Sequence, residues 1–194
     1  TRDASGGVDA FDFNALSAVD VMRGADSSRG GSGVLGGILG LRTLEPEDLI
    51  GEGRDWGGVA KTSYDSSDDS FGGSAAVAKR IGGTSVLFQG GYRKGHERET
   101  NGDVGGYGTT RTVANPSDFD QHNLLFKLRQ EFEGGHMLGL TAERFRRDRD
   151  TDAKTEQGVS AQYRPGDYIS NQATDRDRIS IDYRYEAPSA EGLI

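Results

Sequence analysis

The sequence contains no cysteine, which excludes a disulfide scaffold, thiolate metal sites and thiol catalysis. Its 4 prolines are too few for a proline-rich or collagen-like chain, so its 30 glycines must serve turns, bulges or close packing. Long apolar runs are missing as well. The longest apolar-plus-glycine stretch, Gly33 to Leu41, falls far short of the ~20 residues a membrane helix needs. A helical membrane protein is thereby excluded. A β-barrel is not, because its strands alternate and keep mean hydropathy low, here −0.66. Basic excess is absent: the net charge of −8 argues against phosphate binding, and no nucleic-acid partner is expected. There is also no signal-like segment at Thr1 and no initiator Met.

What is present divides into two textures. Up to about Glu52 the chain is glycine-rich and non-periodic, and beyond Trp56 segments of alternating polarity begin. In 124–132, Leu124, Phe126, Leu128 and Phe132 share one parity, while Lys127, Arg129 and Glu131 take the other. Ile179, Ile181, Tyr183 and Tyr185 alternate with charged or hydroxyl residues in 178–185, and Val86, Phe88, Gly90 and Tyr92 set the rhythm of 85–93. Successive strand side chains point to opposite faces, so each segment is a strand with one apolar and one polar face. A helix would put Lys127 and Arg129 among the leucines. Weaker strands fit 57–65, 73–81 and 136–147. Phe145 breaks the parity of the last, which predicts a bulge there or the end of the apolar band.

The joins alternate too. Gly82-Gly83-Thr84 and Glu133-Gly134-Gly135 read as tight hairpin turns, whereas 97–118 and 150–175 are long and polar. Tight turns at one end and long loops at the other is the pattern of an outer-membrane barrel. A soluble sandwich makes the same hairpins but has no comparable reason to place long loops on alternate joins. Six strands cannot close such a barrel, which takes eight or more. The expectation is a segment of a longer protein.

Residues 29–43, RGGSGVLGGILGLRT, contain the G-x-G-x-x-G spacing of a dinucleotide loop at Gly31, Gly33 and Gly36. That loop needs a strand directly before it and a helix directly after it. Gly24 to Gly30 separate it from the nearest strand candidate, and Ile38-Leu39-Gly40-Leu41 suits a strand better than a helix. A P-loop fails because no Gly-Lys-Ser/Thr follows. The glycines need another explanation.

The stretch Val19-Asp20-Val21-Met22-Arg23-Gly24, followed by Ser27-Ser28, Gly30, Ser32-Gly33, Leu35-Gly36-Gly37 and Leu41-Arg42-Thr43, resembles the C-terminal half of a TonB-dependent receptor plug. Val21, Arg23, Gly24, Gly30, Gly33, Gly36 and Gly37 stand at its structural motif positions. Asp20 replaces the family's usual Glu, and Gly31-Ser32-Gly33 stands where an aromatic-Gly pair is common. The continuation Leu41 to Ile50, with Gly51 and Gly53, is similar to the plug-to-barrel junction of the haem and haemoglobin receptor branch. The resemblance implies a mainly β chain: residues 1–50 as the C-terminal part of a plug domain, and 56–194 as the first six antiparallel strands of an incomplete transmembrane β-barrel. It implies a Gram-negative outer-membrane location, bordered by lipid, and energised uptake of an iron carrier, with haem from haemoglobin or a haem-carrier protein as cargo. Coupling to the TonB complex would run through an N-terminal segment absent from this sequence. A ferric-siderophore receptor of the same family is the alternative cargo reading. A soluble or cell-surface β-rich binding module without transport is the alternative class.

Haem receptors, by this resemblance, draw axial ligands from a plug His and an extracellular-loop His. Thr1 to Ala18 hold no His, which leaves His96, at the entry to the first long loop, as the candidate. His122 and His136 read as surface or wall residues. Arg144, Arg146 and Arg147 in ERFRRDRDTD could attract an anionic ligand, or could lie on a solvated strand extension with paired charges. Tyr107 and Asn115-Pro116 fall in the first long loop, where they could touch a ligand or merely pack. Asp65-Ser66-Ser67-Asp68-Asp69 has the composition of a hard-cation loop without EF-hand spacing, and reads as a solvated turn. Trp56, Phe132 and Tyr185 sit where an interfacial aromatic girdle would fall. No nucleophile–base pair or close carboxylate pair emerges, so neither enzymatic activity nor a resident metal or cofactor is expected, haem entering only as cargo.

Overall fold

The computed structural model describes residues 13–23, 37–158, 163–166 and 168–186. A short 3-10 turn, Phe13–Ala15, leads into β1 (Leu16–Arg23), which pairs antiparallel with β2 (Gly37–Thr43). The one irregularity in that register lies between Leu16 and Ala18. Gly24, Gly30, Gly33 and Gly36 of the plug-like motif lie outside the described residues, as does the G-x-G-x-x-G stretch. Val21 and Arg23 take their places in β1 opposite Leu39 and Gly37.

A one-turn helix, α1 (Pro46–Leu49), follows β2. Proline at its start supplies a preset φ where no backbone donor is needed. Asp48 accepts from the Glu45 backbone N–H at 2.8 Å, satisfying that group.

From residue 56 the chain forms one antiparallel meander: β3 (Trp56–Asp65), β4 (Ser70–Ile81), β5 (Thr84–His96), β6 (Ser117–Phe132), β7 (His136–Asp152) and β8 (Ile169–Tyr185), in sequential order. Joins 82–83 and 133–135 close one end, and the turn 66–69, the loop 97–116 and the described residues of the β7–β8 loop (153–158, 163–166 and 168) lie at the other. Gly135 shows what a tight join demands. It holds φ +82°, and a Cβ there would sit 1.9 Å from the Glu186 carbonyl oxygen.

The strands expected from alternation are all present, but β5 to β8 run further toward the long loops. Beyond the apolar band both faces meet polar surroundings, so the alternation of polarity fades while backbone pairing continues. Phe145 causes no bulge: the β6–β7 register runs unbroken through Asn123↔Phe145. Its ring simply takes the inner parity and is 3% exposed. The apolar band does end at this level, because the outward positions after Ala142 are Arg144, Arg146, Asp148 and Asp150.

The two faces of the sheet differ in kind. Inner positions bury polar side chains, among them Gln89, Asn123, Lys127 and Thr141. An apolar cluster on that face lies under the N-terminal unit: Leu87 (0% exposed) and Leu125 (2%) pack with Ala76, Ala78, Ala15, Leu44 and Ile50. Burying two leucines in this way contributes about 1.5–3 kcal/mol each. Outer positions instead expose Val77, Phe88, Leu124, Leu138, Ile179 and Ile181.

Candidate functional site

Period-2 geometry places Lys127 and Arg129 on the inner face beside Leu125. Both meet Glu45, the residue just before α1. Arg129 donates to it through Nε (3.1 Å) and Nη2 (3.0 Å), a fork-on-carboxylate pair, and Lys127 Nζ donates to Oε1. Arg129 also reaches Thr141 Oγ1 and lies 3.6 Å from Asp182. A second ion pair, Arg80–Glu47 at 3.2 Å, ties α1 to β4. Near the start of β3, Gly57 passes close against α1, where a Cβ would stand 1.9 Å from the Leu49 carbonyl oxygen. The N-terminal unit is thus seated on the inner face by charge, by the small leucine cluster and by one side-chain-free crossing.

Toward the long loops the inner face becomes cationic. Phe119, 5% exposed, lies beneath three guanidinium groups, with the Cζ atoms of Arg93, Arg147 and Arg149 at 5.6, 5.1 and 5.6 Å from the ring centroid. Its partner across the β5–β6 ladder is Gly95, where a Cβ would come within 2.8 Å of the ring. Arg93 is also held by Asp68 at 3.0 Å and by Ser70 at 2.7 Å. Asp65 caps the same turn. Hydrogen bonds from the Ser67 backbone N–H and hydroxyl hold its carboxyl below the usual range, with Arg93 and Arg98 adding to the effect. The Asp65–Asp69 stretch is therefore a closed turn whose carboxylates serve Ser67, Ser70, Arg93 and Tyr64.

The four residues singled out as ligand-binding are not brought together. His96 ends β5 at an outward position, with Nδ1 2.8 Å from Asp118. Arg144 and Arg146 also face outward and pair across the strand with Asp177 (2.8 Å) and Asp175 (3.3 Å). Tyr107 lies in the first long loop, next to Gly108, whose N–H donates to the Lys154 carbonyl in the second. Asn115 ties the same two loops, giving its amide N–H to Thr155 Oγ1 and taking the Thr155 backbone N–H. Gln157, fully buried, organises the second loop through Tyr168 O (3.0 Å) and Gly166 N (2.6 Å). Glu45 lies inside the junction-like stretch Leu41 to Ile50 but no spacing singles it out there, and Gln157 falls outside every motif. The signal available for Glu45 was two cations, Lys127 and Arg129, on the polar parity of 124–132 with the single acid Glu131 beside them.

Outside, Trp56, Phe132 and Tyr185 line the tight-turn end, joined by Tyr183, whose hydroxyl is 2.7 Å from His136 Nδ1. A second aromatic row, Tyr64 opposite Phe71 and Tyr92 opposite Gly73, marks the other limit of the band. Trp56 and Tyr64 bound β3 some 26 Å apart along the strand, or about 20 Å of height at a tilt of about 40°. An outward apolar band between aromatic rows, with a polar inner face carrying its own N-terminal unit, defines a section of β-barrel wall.

Known proteins support that class. The FrpB iron transporter from Neisseria meningitidis superposes with a TM-score of 0.67 over 89% of this chain and 27% of its own, at 19% identity, a likeness of fold. In sequence, transferrin-binding protein A of Neisseria meningitidis serogroup B is 34% identical over 105 residues, which cover 54% of this chain and 12% of that protein. Lactoferrin-binding protein A of Neisseria meningitidis serogroup B (strain ATCC BAA-335 / MC58) is 35% identical over 122 residues, 61% of this chain and 13% of its own. Hemoglobin-haptoglobin utilization protein B of Neisseria meningitidis serogroup A / serotype 4A is 28% identical over 201 residues, covering 88% of this chain and 25% of that protein. The matched stretches thus span 12% to 25% of the length of these relatives. No family model matches the chain.

Proposed function

We propose that this chain is part of a TonB-dependent outer-membrane receptor that captures an iron-carrying protein and imports what it releases. Residues up to about 50 serve as the end of the plug, and residues from 56 onward as barrel wall. One observation carries the reading: the sheet turns an apolar, aromatic-bordered face outward, while its inner face holds the N-terminal unit through Glu45, Lys127 and Arg129. A soluble sandwich would bury that outer face against a second sheet.

The relatives are named for three different carrier proteins, so capture of a protein carrier is the element they share. Loops 97–116 and 153–168 supply the capture surface, and movement of the plug under TonB opens the way past Glu45. Haem is the narrower cargo reading and rests on the resemblance of Leu41–Ile50 to the haem branch. His96 faces away from the inner wall, so we expect no axial role for it.

The test uses the full-length receptor in outer membranes. Iron-loaded transferrin, lactoferrin and haemoglobin–haptoglobin would each be offered, and binding and energised uptake of radioactive iron measured. Saturable binding of one carrier, with uptake abolished by a protonophore, is the expected result. Recovery of the full-length protein as a compact, detergent-free soluble monomer would overturn the reading. If haem is bound, its Soret change should be the same in His96→Ala.

A further inference from the structure

Lys127 and Arg129 share Glu45, yet their remaining partners differ in kind. Lys127 Nζ has Glu45 and the Thr43 carbonyl at 3.5 Å, both on the N-terminal unit. Arg129 is divided between that unit and the wall. Its Nε and Nη2 face Glu45, while Nη1 reaches Thr141 Oγ1 at 3.3 Å and the Leu140 carbonyl at 3.4 Å. Asp182 lies 3.6 Å from the same Nη1 and, among the described residues, pairs with no other cation. Arg184, two positions on along β8, stands 3.9 Å from Glu186 instead.

The ladder sets this arrangement. Arg129, Gly139 and Asp182 form one row across β6, β7 and β8, all on the inner face. A Cβ at Gly139 would stand 2.5 Å from both Asp182 carboxylate oxygens and 2.6 Å from Arg129 Nη1. Glycine inside a strand marks a place where something else must come close. Here it leaves the guanidinium and the carboxylate a clear line to one another. A guanidinium carries five donors in a fixed fork, so it can serve two carboxylates and turn from one to the other by a small rotation.

We infer that Arg129 passes from Glu45 to Asp182 when the N-terminal unit moves off the inner wall, with Gly139 keeping the path between them open. The inference rests on the receptor reading for that movement. The exchange replaces one charge-assisted pair with another, so the half-buried guanidinium is never left without a carboxylate. Lys127 alone gives up its counter-charge, and the electrostatic hold on the unit at Glu45 narrows to that one cation.

Release of the N-terminal unit would be followed in the purified full-length protein in detergent, across a range of urea. The reporter is the mobility of a spin label at Val21→Cys, an exposed position of β1. Asp182→Asn removes the receiving carboxylate, so release should become about threefold less favourable at a given urea concentration, as fits a partly exposed ion pair. Gly139→Ala should act in the same direction, because its methyl group displaces the flexible ends of both partners. In an Arg129→Gln background Asp182→Asn should have no effect. Asp177→Asn, on the outward face of the same strand, should leave release as it is. A merely structural Asp182 gives the opposite sign, since losing it would loosen the wall and ease release. Easier or unchanged release in Asp182→Asn, or the same shift in the Arg129→Gln background, would overturn the exchange. Carrier binding and energised iron uptake by the unaltered protein separate the two readings: their presence with release unmoved by Asp182→Asn removes only the exchange.

Discussion

Glu45 and Arg129 meet through two parallel hydrogen bonds of 3.0 and 3.1 Å, joining residues 84 positions apart in the chain. Lys127, whose side chain is 4% exposed, shares the same carboxylate. Two cations therefore share one anion at the point where the N-terminal unit meets the wall, Arg129 having a second, longer pairing with Asp182 at 3.6 Å. Removing the anion leaves Lys127 inward-facing without its counter-charge, a loss greater than the worth of the intact pair. Glu45→Gln should destabilise the folded full-length protein by about 3 kcal/mol, read from its urea midpoint in detergent. Lys127→Met, which removes one of the two cations instead, should cost clearly less. Equal effects would show that Glu45 is not the shared partner.

Gly57 gives a sharper steric prediction. Gly57→Ala puts a methyl group 1.9 Å from the Leu49 carbonyl oxygen, so α1 and the start of β3 must move apart. Gly73→Ala, where the new carbon would stand 3.7 Å from the Lys61 carbonyl, should be tolerated. Heat-modifiable gel mobility of the full-length protein is the measurement. A large drop in the folded fraction is expected for Gly57→Ala and little change for Gly73→Ala.

How far the sequence disclosed these features depends on how local their cause is. Period 2 is local, so the parity of Leu124, Phe126 and Leu128 against Lys127 and Arg129 was legible, as were the tight turns at 82–83 and 133–135. Strand length was not. Backbone pairing of Asp118 with Asp150 continues where side-chain polarity no longer alternates. The Glu45 seat was illegible for a different reason, since its partners are separated by most of the chain. ERFRRDRDTD shows both cases at once. Its alternation was sufficient to divide Arg144 and Arg146 from Arg147 and Arg149, but reading it as a charge run hid the division.

Lipid and water as surroundings of the outer face have opposite consequences for a charge placed there. Ile181 and Ile169 are both outward residues of β8, with 73% and 61% exposure. Judged by exposure alone, an arginine at either should be harmless. Their positions differ, however. Ile181 lies opposite Leu140 inside the aromatic-bordered band, whereas Ile169 lies opposite Asp152 at the loop end. In a bilayer, Ile181→Arg must strip or snorkel a guanidinium in hydrocarbon, at a cost of about 2–4 kcal/mol near the midplane. Ile169→Arg stays in water and should cost about 0–1 kcal/mol. Refolding yields of the two full-length variants into lipid vesicles would distinguish them. A clear penalty at Ile181 alone is the signature of a lipid-facing wall, and equal tolerance at both sites would mean that the apolar face meets something other than lipid.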